Sequence, residues 1–156
     1  MAQKIRDFGI EKIFCSPRIR AQETAAILQK ELNCPIEILQ DIRERNHYGI
    51  LTDMVKAEAK EKYPELVSLL KDTHNTIEGG EAYEPFVARV KRGLVTIEGS
   101  DLKIVAIITH GGPIRVIFRE ILKIGEISVD DCAFAELEAD HRRLKAVRLD
   151  GIELRT

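Results

Sequence analysis

Ile104-Val105-Ala106-Ile107-Ile108-Thr109-His110-Gly111-Gly112-Pro113 runs five aliphatic residues together, then a polar pair, two glycines and a proline. An unbroken aliphatic run of that length suits a parallel strand buried on both faces. Proline is tolerated at the first helical position, so Gly-Gly-Pro predicts a turn straight into a helix. That helix carries Ile114, Ile117, Phe118, Ile121 and Leu122 on one face. His110 then stands at the carboxyl end of a strand, where open α/β sheets gather ligands. Gly111 and Gly112 allow backbone N–H groups close to an anion, and the helix start adds partial positive charge, so phosphate is the natural ligand. The competing account makes His110 a strand cap bonded to a loop carbonyl.

A second junction of the same kind lies upstream. Ile10 to Cys15 is a short β-prone run, and Ser16-Pro17 offers an N-cap and a first-turn proline. The helix that follows has a core stripe of Ala21, Ala25, Leu28 and Leu32, and Pro35 ends it. Arg18 and Arg20 occupy its first turn. Cations there oppose the helix dipole, so two arginines suggest an anion that neutralises them; otherwise they simply solvate a helix end. Before this strand, Ile5 and Phe8 share a face and Gly9 stops a short helix.

Ile36 to Leu39 reads as a strand and Asp41 to Thr52 as a polar loop closed by Gly49. Within it, Glu44 can act as general acid or base if burial raises its pKa, whereas pairing with Arg43 or Arg45 is the plain alternative. Thr52 to Lys71 is rich in Ala, Glu, Lys and Leu, and Pro64 divides it into two short helices, giving an insert or cap over about 52–80. Glu81 follows Gly79 and Gly80 at the start of a helix whose Phe86, Val90, Leu94 and Ile97 share a face, with Pro85 in its first turn; the dipole alone accounts for a Glu there. Cys132 to Leu149 alternates around Asp140-His141 as a β-hairpin. Residues 1–156 therefore read as a single α/β domain: a mostly parallel sheet with flanking helices and a C-terminal antiparallel hairpin.

Composition excludes several classes. The 156 residues are 44% hydrophobic and 32% charged with a net charge of −2, which argues against a disordered tail, duplex DNA or other nucleic acid, and a polybasic membrane surface. The longest aliphatic run is far short of a membrane span. Cys15, Cys34 and Cys132 form no C-x-x-C pair and leave an odd thiol, which suits a reducing cytoplasm rather than a disulfide framework. His47, His74 and His141 fall in loops or turns and read as solvated. No His, Asp or Glu pair has convincing ligand spacing, so neither metal nor cofactor is expected.

Taken together, these motifs resemble the histidine phosphatase superfamily, also called phosphoglycerate mutase-like. Ile13-Phe14-Cys15-Ser16-Pro17-Arg18-Ile19-Arg20-Ala21-Gln22-Glu23-Thr24-Ala25 is similar to the family's apolar-x-S-P-x-x-R-A-x-x-T-A stretch, with Arg20 at the phosphate-binding arginine. Arg43 to Gly49 resembles the segment bearing the acid/base glutamate, and Gly80-Glu81 the G-E-S helix, with Ala82 in place of Ser. Ile107 to Arg115 resembles the strand and S-H-G-G turn bearing the second active-site histidine. The resemblance implies that His110, Arg20 and Glu44 are catalytic, the first two clamping a phosphoryl group and Glu44 protonating the leaving group. Ser16, Arg18, Glu81, Gly111 and Gly112 are read beside them as substrate-binding residues, with a small phosphorylated substrate or phosphate as partner.

Two departures accompany it. No R-H-G, the motif of the family's attacking histidine, occurs in these residues. The resemblance therefore implies an N-terminally truncated fold lacking roughly 35–45 residues, with impaired catalysis; the alternative is a pseudo-phosphatase that holds a phosphorylated ligand. Four residues also separate Glu44 from Gly49, where the common pattern has three. If the absent strand normally lies between Ile10–Cys15 and Ile104–Ile108, the chain either pairs those strands directly or fills the gap from a second copy, making a homodimer through exposed sheet edges.

Overall fold

The computed structural model describes residues 2–140 and 143–155. The chain divides into two compact units, residues 1–44 with 90–156, and residues 45–89.

The first unit is built on three parallel strands, β1 (Lys12–Cys15), β2 (Ile36–Ile38) and β3 (Val105–Ile108), in the order β2-β1-β3. β1 and β3 pair directly, Lys12 opposite Val105 and Cys15 opposite Ile108, so no gap separates them. The period of two along each strand sends alternate side chains to opposite faces. On one face Ile13, Cys15, Ala106 and Ile108 meet Ala21, Ala25 and Leu28 of helix α2 (Ile19–Leu32), together with Ile5 of α1 (Ala2–Ile5). On the other, Phe14, Val105 and Ile107 meet Ile42, Leu94 and Ile97. Full burial of a large apolar side chain such as Ile13, Leu28 or Phe14 stabilises the fold by about 1.5–3 kcal/mol.

Several local expectations need correction. β3 packs on both faces yet is only partly buried along its whole length, because it holds an outer position in the sheet. Helix α2 starts at Ile19, with Arg18 as N-cap and no side-chain cap, so Ser16 does not cap it. It ends at Asn33, which takes the left-handed conformation that an Asx side chain tolerates. The helix after His110, α6 (Gly111–Val116), passes into one π turn at Ile117–Ile121. The wider turn rotates the apolar stripe, and Val116 joins Ile117 and Phe118 in the core while Ile114, Ile121 and Leu122 stay partly exposed.

The C-terminal hairpin forms a sheet of its own, with β4 (Ile127–Asp140) antiparallel to β5 (Arg143–Leu154). It begins earlier than Cys132 and runs past Leu149. Register shifts between Val129 and Phe134 allow this, and Cys132 there has a φ of 60°. His141, at the expected turn, lies outside the described residues. The three cysteines are free, Cys15 and Cys34 buried and Cys132 exposed. Among the described residues no helix is long and apolar enough to cross a membrane.

The second unit holds α3 (Lys56–Lys62) and α4 (Pro64–Leu69), divided at Pro64 as its first-turn preference dictates. Leu51, Ala59 and Ile77 form its small core with Met54, Leu66, Val67 and Leu70 around them. Helix α5 (Tyr83–Glu98) follows.

Candidate active site at the strand ends

Sheet register assembles the site. Because Cys15 lies opposite Ile108, the residues that follow each strand emerge side by side, and the Ser16 N–H still donates to the Ile108 carbonyl at 2.9 Å. One step further, Ser16 Oγ lies 2.7 Å from His110 Nε2. Ser16 is fully buried and His110 is 8% exposed. The backbone N–H of Arg18 donates to the same Ser16 Oγ at 3.3 Å, which uses the hydroxyl that a capping role would have required.

Glu44 arrives from the loop after β2. Thr109 donates its hydroxyl hydrogen to the Ile42 carbonyl at 2.6 Å, tying that loop to the end of β3. Glu44 Oε2 accepts the Gly112 N–H at 3.3 Å, so this N–H, expected to approach an anion, instead holds the carboxylate. Arg115 reaches back across Gly111: a Cβ at that glycine would lie 2.7 Å from the guanidinium. The motif order alone did not single out Thr109 or Arg115. The four-residue reach of a helical turn is the signal that would have found Arg115.

Charge converges on the imidazole. Burial holds His110 below the usual histidine pKa, the Glu44 carboxylate acts against that, and Arg20 and then Arg18 reinforce it. Both arginines are exposed, and among the described residues neither guanidinium has an ion-pair partner. Ser16, Arg18, Arg20, Glu44, His110, Gly111 and Gly112 thus meet at one rim of one unit.

Glu81 belongs to the second unit. It precedes α5 rather than starting it, and its two carboxylate oxygens accept from Arg89 at 2.6 and 2.7 Å, so an arginine and not the dipole accounts for it. In the same unit Arg45 donates to the carbonyls of Glu81, Thr73 and Asn75. His47 bonds the Leu70 carbonyl and buries its Nδ1 without a partner, so it is not the solvated side chain its sequence context suggested. His74 is exposed beside Asp72.

A rim that gathers a buried histidine, a carboxylate and two guanidinium groups without an ion-pair partner among the described residues is suited to phosphoryl chemistry. The model of the histidine phosphatase superfamily (branch 1) matches residues 1–150, and the chain belongs to that family. A metal-independent phosphoserine phosphatase of Arabidopsis thaliana is 32% identical over 115 residues, 70% of this chain and 48% of that protein. The uncharacterized phosphatase PhoE of Bacillus subtilis is 30% identical over 118 residues, 75% of this chain and 56% of that protein. A bifunctional protein of Mycobacterium tuberculosis is 33% identical over 122 residues, 75% of this chain and 32% of its own length. The chain thus spans about a third to just over half of these relatives. Among solved structures, YhfR of Bacillus stearothermophilus superposes with a TM-score of 0.83 at 17% identity, covering 96% of this chain and 78% of that one. The alpha-ribazole phosphatase of Shigella flexneri gives 0.78 at 18% identity, covering 96% and 79%. These last two establish the shared fold.

Proposed function

We propose that these residues form the phosphate-gripping part of a phosphomonoester hydrolase or phosphomutase. The convergence of Arg18, Arg20 and Glu44 on the buried His110 carries this reading. Arg20 and Arg18 neutralise the nonbridging oxygens, for which guanidinium groups have matching geometry, and His110 donates a hydrogen bond to the same group. Gly111 keeps backbone close to the anion, and Glu44 supplies a proton to the leaving oxygen. Glu81 is assigned a share in substrate binding by the G-E motif alone, and the insert at Thr52 to Lys71 is assigned the choice of substrate. The relatives' names support small phosphorylated molecules as the substrate class.

No R-H-G occurs in these residues, so turnover by them is impaired and binding outlasts catalysis. The same observation favours a second reading, in which the site holds a phosphorylated ligand without turning it over. Incubation with p-nitrophenyl phosphate at mildly acidic pH, paired with calorimetric binding of inorganic phosphate, separates the two. Hydrolysis that disappears in His110→Ala defeats the holding-only reading; binding with no hydrolysis supports it; absence of both overturns each. If a strand from elsewhere completes the site, a peptide carrying R-H-G added in trans raises turnover. A reducing cytoplasm suits the free thiols, and the aliphatic outer edge of β3 supports a homodimer, tested by sedimentation equilibrium.

A further inference from the structure

We propose that Ser16 is a positioning residue that holds His110 by Nε2 and leaves Nδ1 as the nitrogen offered to an anion. The inference rests on the phosphate-binding reading and deepens it. Ser16 Oγ and His110 Nε2 are 2.7 Å apart between two buried side chains. The Arg18 N–H already donates to that oxygen at 3.3 Å. A hydroxyl that accepts one hydrogen bond has its own hydrogen to give, and Nε2 is the acceptor within reach. With Ser16 as the donor to Nε2, as proposed, neutral His110 carries its proton on Nδ1.

Nδ1 has no hydrogen-bond partner among the described residues, and it is not sealed from solvent. Among those residues the side-chain nitrogen that is both buried and unpartnered is His47 Nδ1, in the other unit. His110 thus commits Nε2 to Ser16 and keeps Nδ1 without a partner among the described residues, while the charges of Arg20 and Arg18 act on the ring. A histidine's two nitrogens are distinct, and the bond made by one fixes the chemistry of the other.

The pair also tolerates a change of charge. Facing His110 are the Glu44 carboxylate, which favours protonation, and Arg20 and Arg18, which oppose it. When an incoming anion offsets the arginines, the imidazole takes up a proton at Nε2. Ser16 then gives up the hydrogen bond it donated to Nε2 and accepts the new Nε2–H in its place, with no covalent bond of Ser16 changed. An alanine cannot exchange roles in this way.

The experiment is two-bond ¹H–¹⁵N NMR of the histidine rings in the full chain, with the His110 signals assigned by their loss in His110→Ala and inorganic phosphate as titrant. The expected free protein shows the Nδ1–H tautomer at His110, and phosphate shifts Nδ1 first. Ser16→Ala gives mixed tautomers and about 10-fold weaker phosphate binding, and Ser16→Thr restores the Nδ1–H form. An Nε2–H tautomer in the free wild type, or spectra unchanged by Ser16→Ala, overturns the proposal. An Nδ1–H tautomer that phosphate leaves untouched supports the positioning role of Ser16 and sinks the phosphate-binding reading instead. The tautomer of the wild type decides the matter even if a variant fails to fold.

Discussion

In residues 45–89 the arginines Arg45 and Arg89 are buried, Arg89 gripping both oxygens of Glu81 and Arg45 knitting three backbone carbonyls, while Arg18 and Arg20 of the other unit stand exposed beside His110 with no carboxylate partner among the described residues. The first pair has its desolvation offset within its own unit, with the faces of Tyr83 and Phe86 taking up the rest of the positive charge. The second pair makes no ion pair among the described residues and is the pair to which phosphate binding is assigned. In the proposed reading, one residue type builds structure where it is satisfied and a phosphate-binding surface where it is not.

The largest effect expected from this contrast is on stability. Arg89→Ala removes both hydrogen bonds that the largely buried Glu81 carboxylate accepts from it and costs about 3–5 kcal/mol, read from urea unfolding. Gly49→Ala should cost somewhat less, about 1–3 kcal/mol, since the residue sits at a φ of 45° and a Cβ would press to 2.2 Å from the Glu78 carbonyl oxygen. Arg20→Ala, by comparison, should leave stability within about 0.5 kcal/mol yet weaken inorganic phosphate binding about 10-fold or more in calorimetry. Equal losses of stability from Arg20→Ala and Arg89→Ala would erase the distinction.

The imidazole sharpens it through pH. His110 titrates lower in the folded chain than in the unfolded one, chiefly through burial. As pH falls below about 6.5 toward the folded value, the unfolded state binds more protons, so stability declines across that window and is flat above it. His110→Gln should remove this slope in denaturation series between neutral and mildly acidic pH. The smallest effect belongs to Glu44→Gln, which deletes a negative charge near the anion and should tighten phosphate about 3-fold. The same change removes the contribution that favours protonation and so moves the His110 titration further down, which NMR would follow.

The family and the order of its landmarks were legible in the chain because each depends on local chemistry. An aliphatic run followed by Thr-His-Gly-Gly-Pro reads as strand and turn whatever surrounds it, and Pro64 divides two helices by its missing N–H. Ala21, Ala25 and Leu28 showed the buried face of α2 by spacing alone. The outer position of β3 was not legible, since aliphatic residues suit a central strand and an outer one equally, and only strand order separates the two. The π turn after Val116 was hidden for a similar reason, as the same residues satisfy a regular helix.

What the sequence determined by itself is the set of groups at the rim: histidine, guanidinium, carboxylate and hydroxyl, at the ends of segments that must be strands. What only the tertiary structure decided is how they are spent. Parallel pairing of β1 with β3 brings Ser16 and His110, distant in sequence, within a hydrogen bond, and converts an expected helix cap into the anchor of an imidazole. Packing likewise sends Glu81 to Arg89 while Arg18 and Arg20 keep no such partner among the described residues. Spacing along a chain specifies which groups lie near a strand's end, but hydrogen bonds are short and directional, so their partners are set only when the register closes.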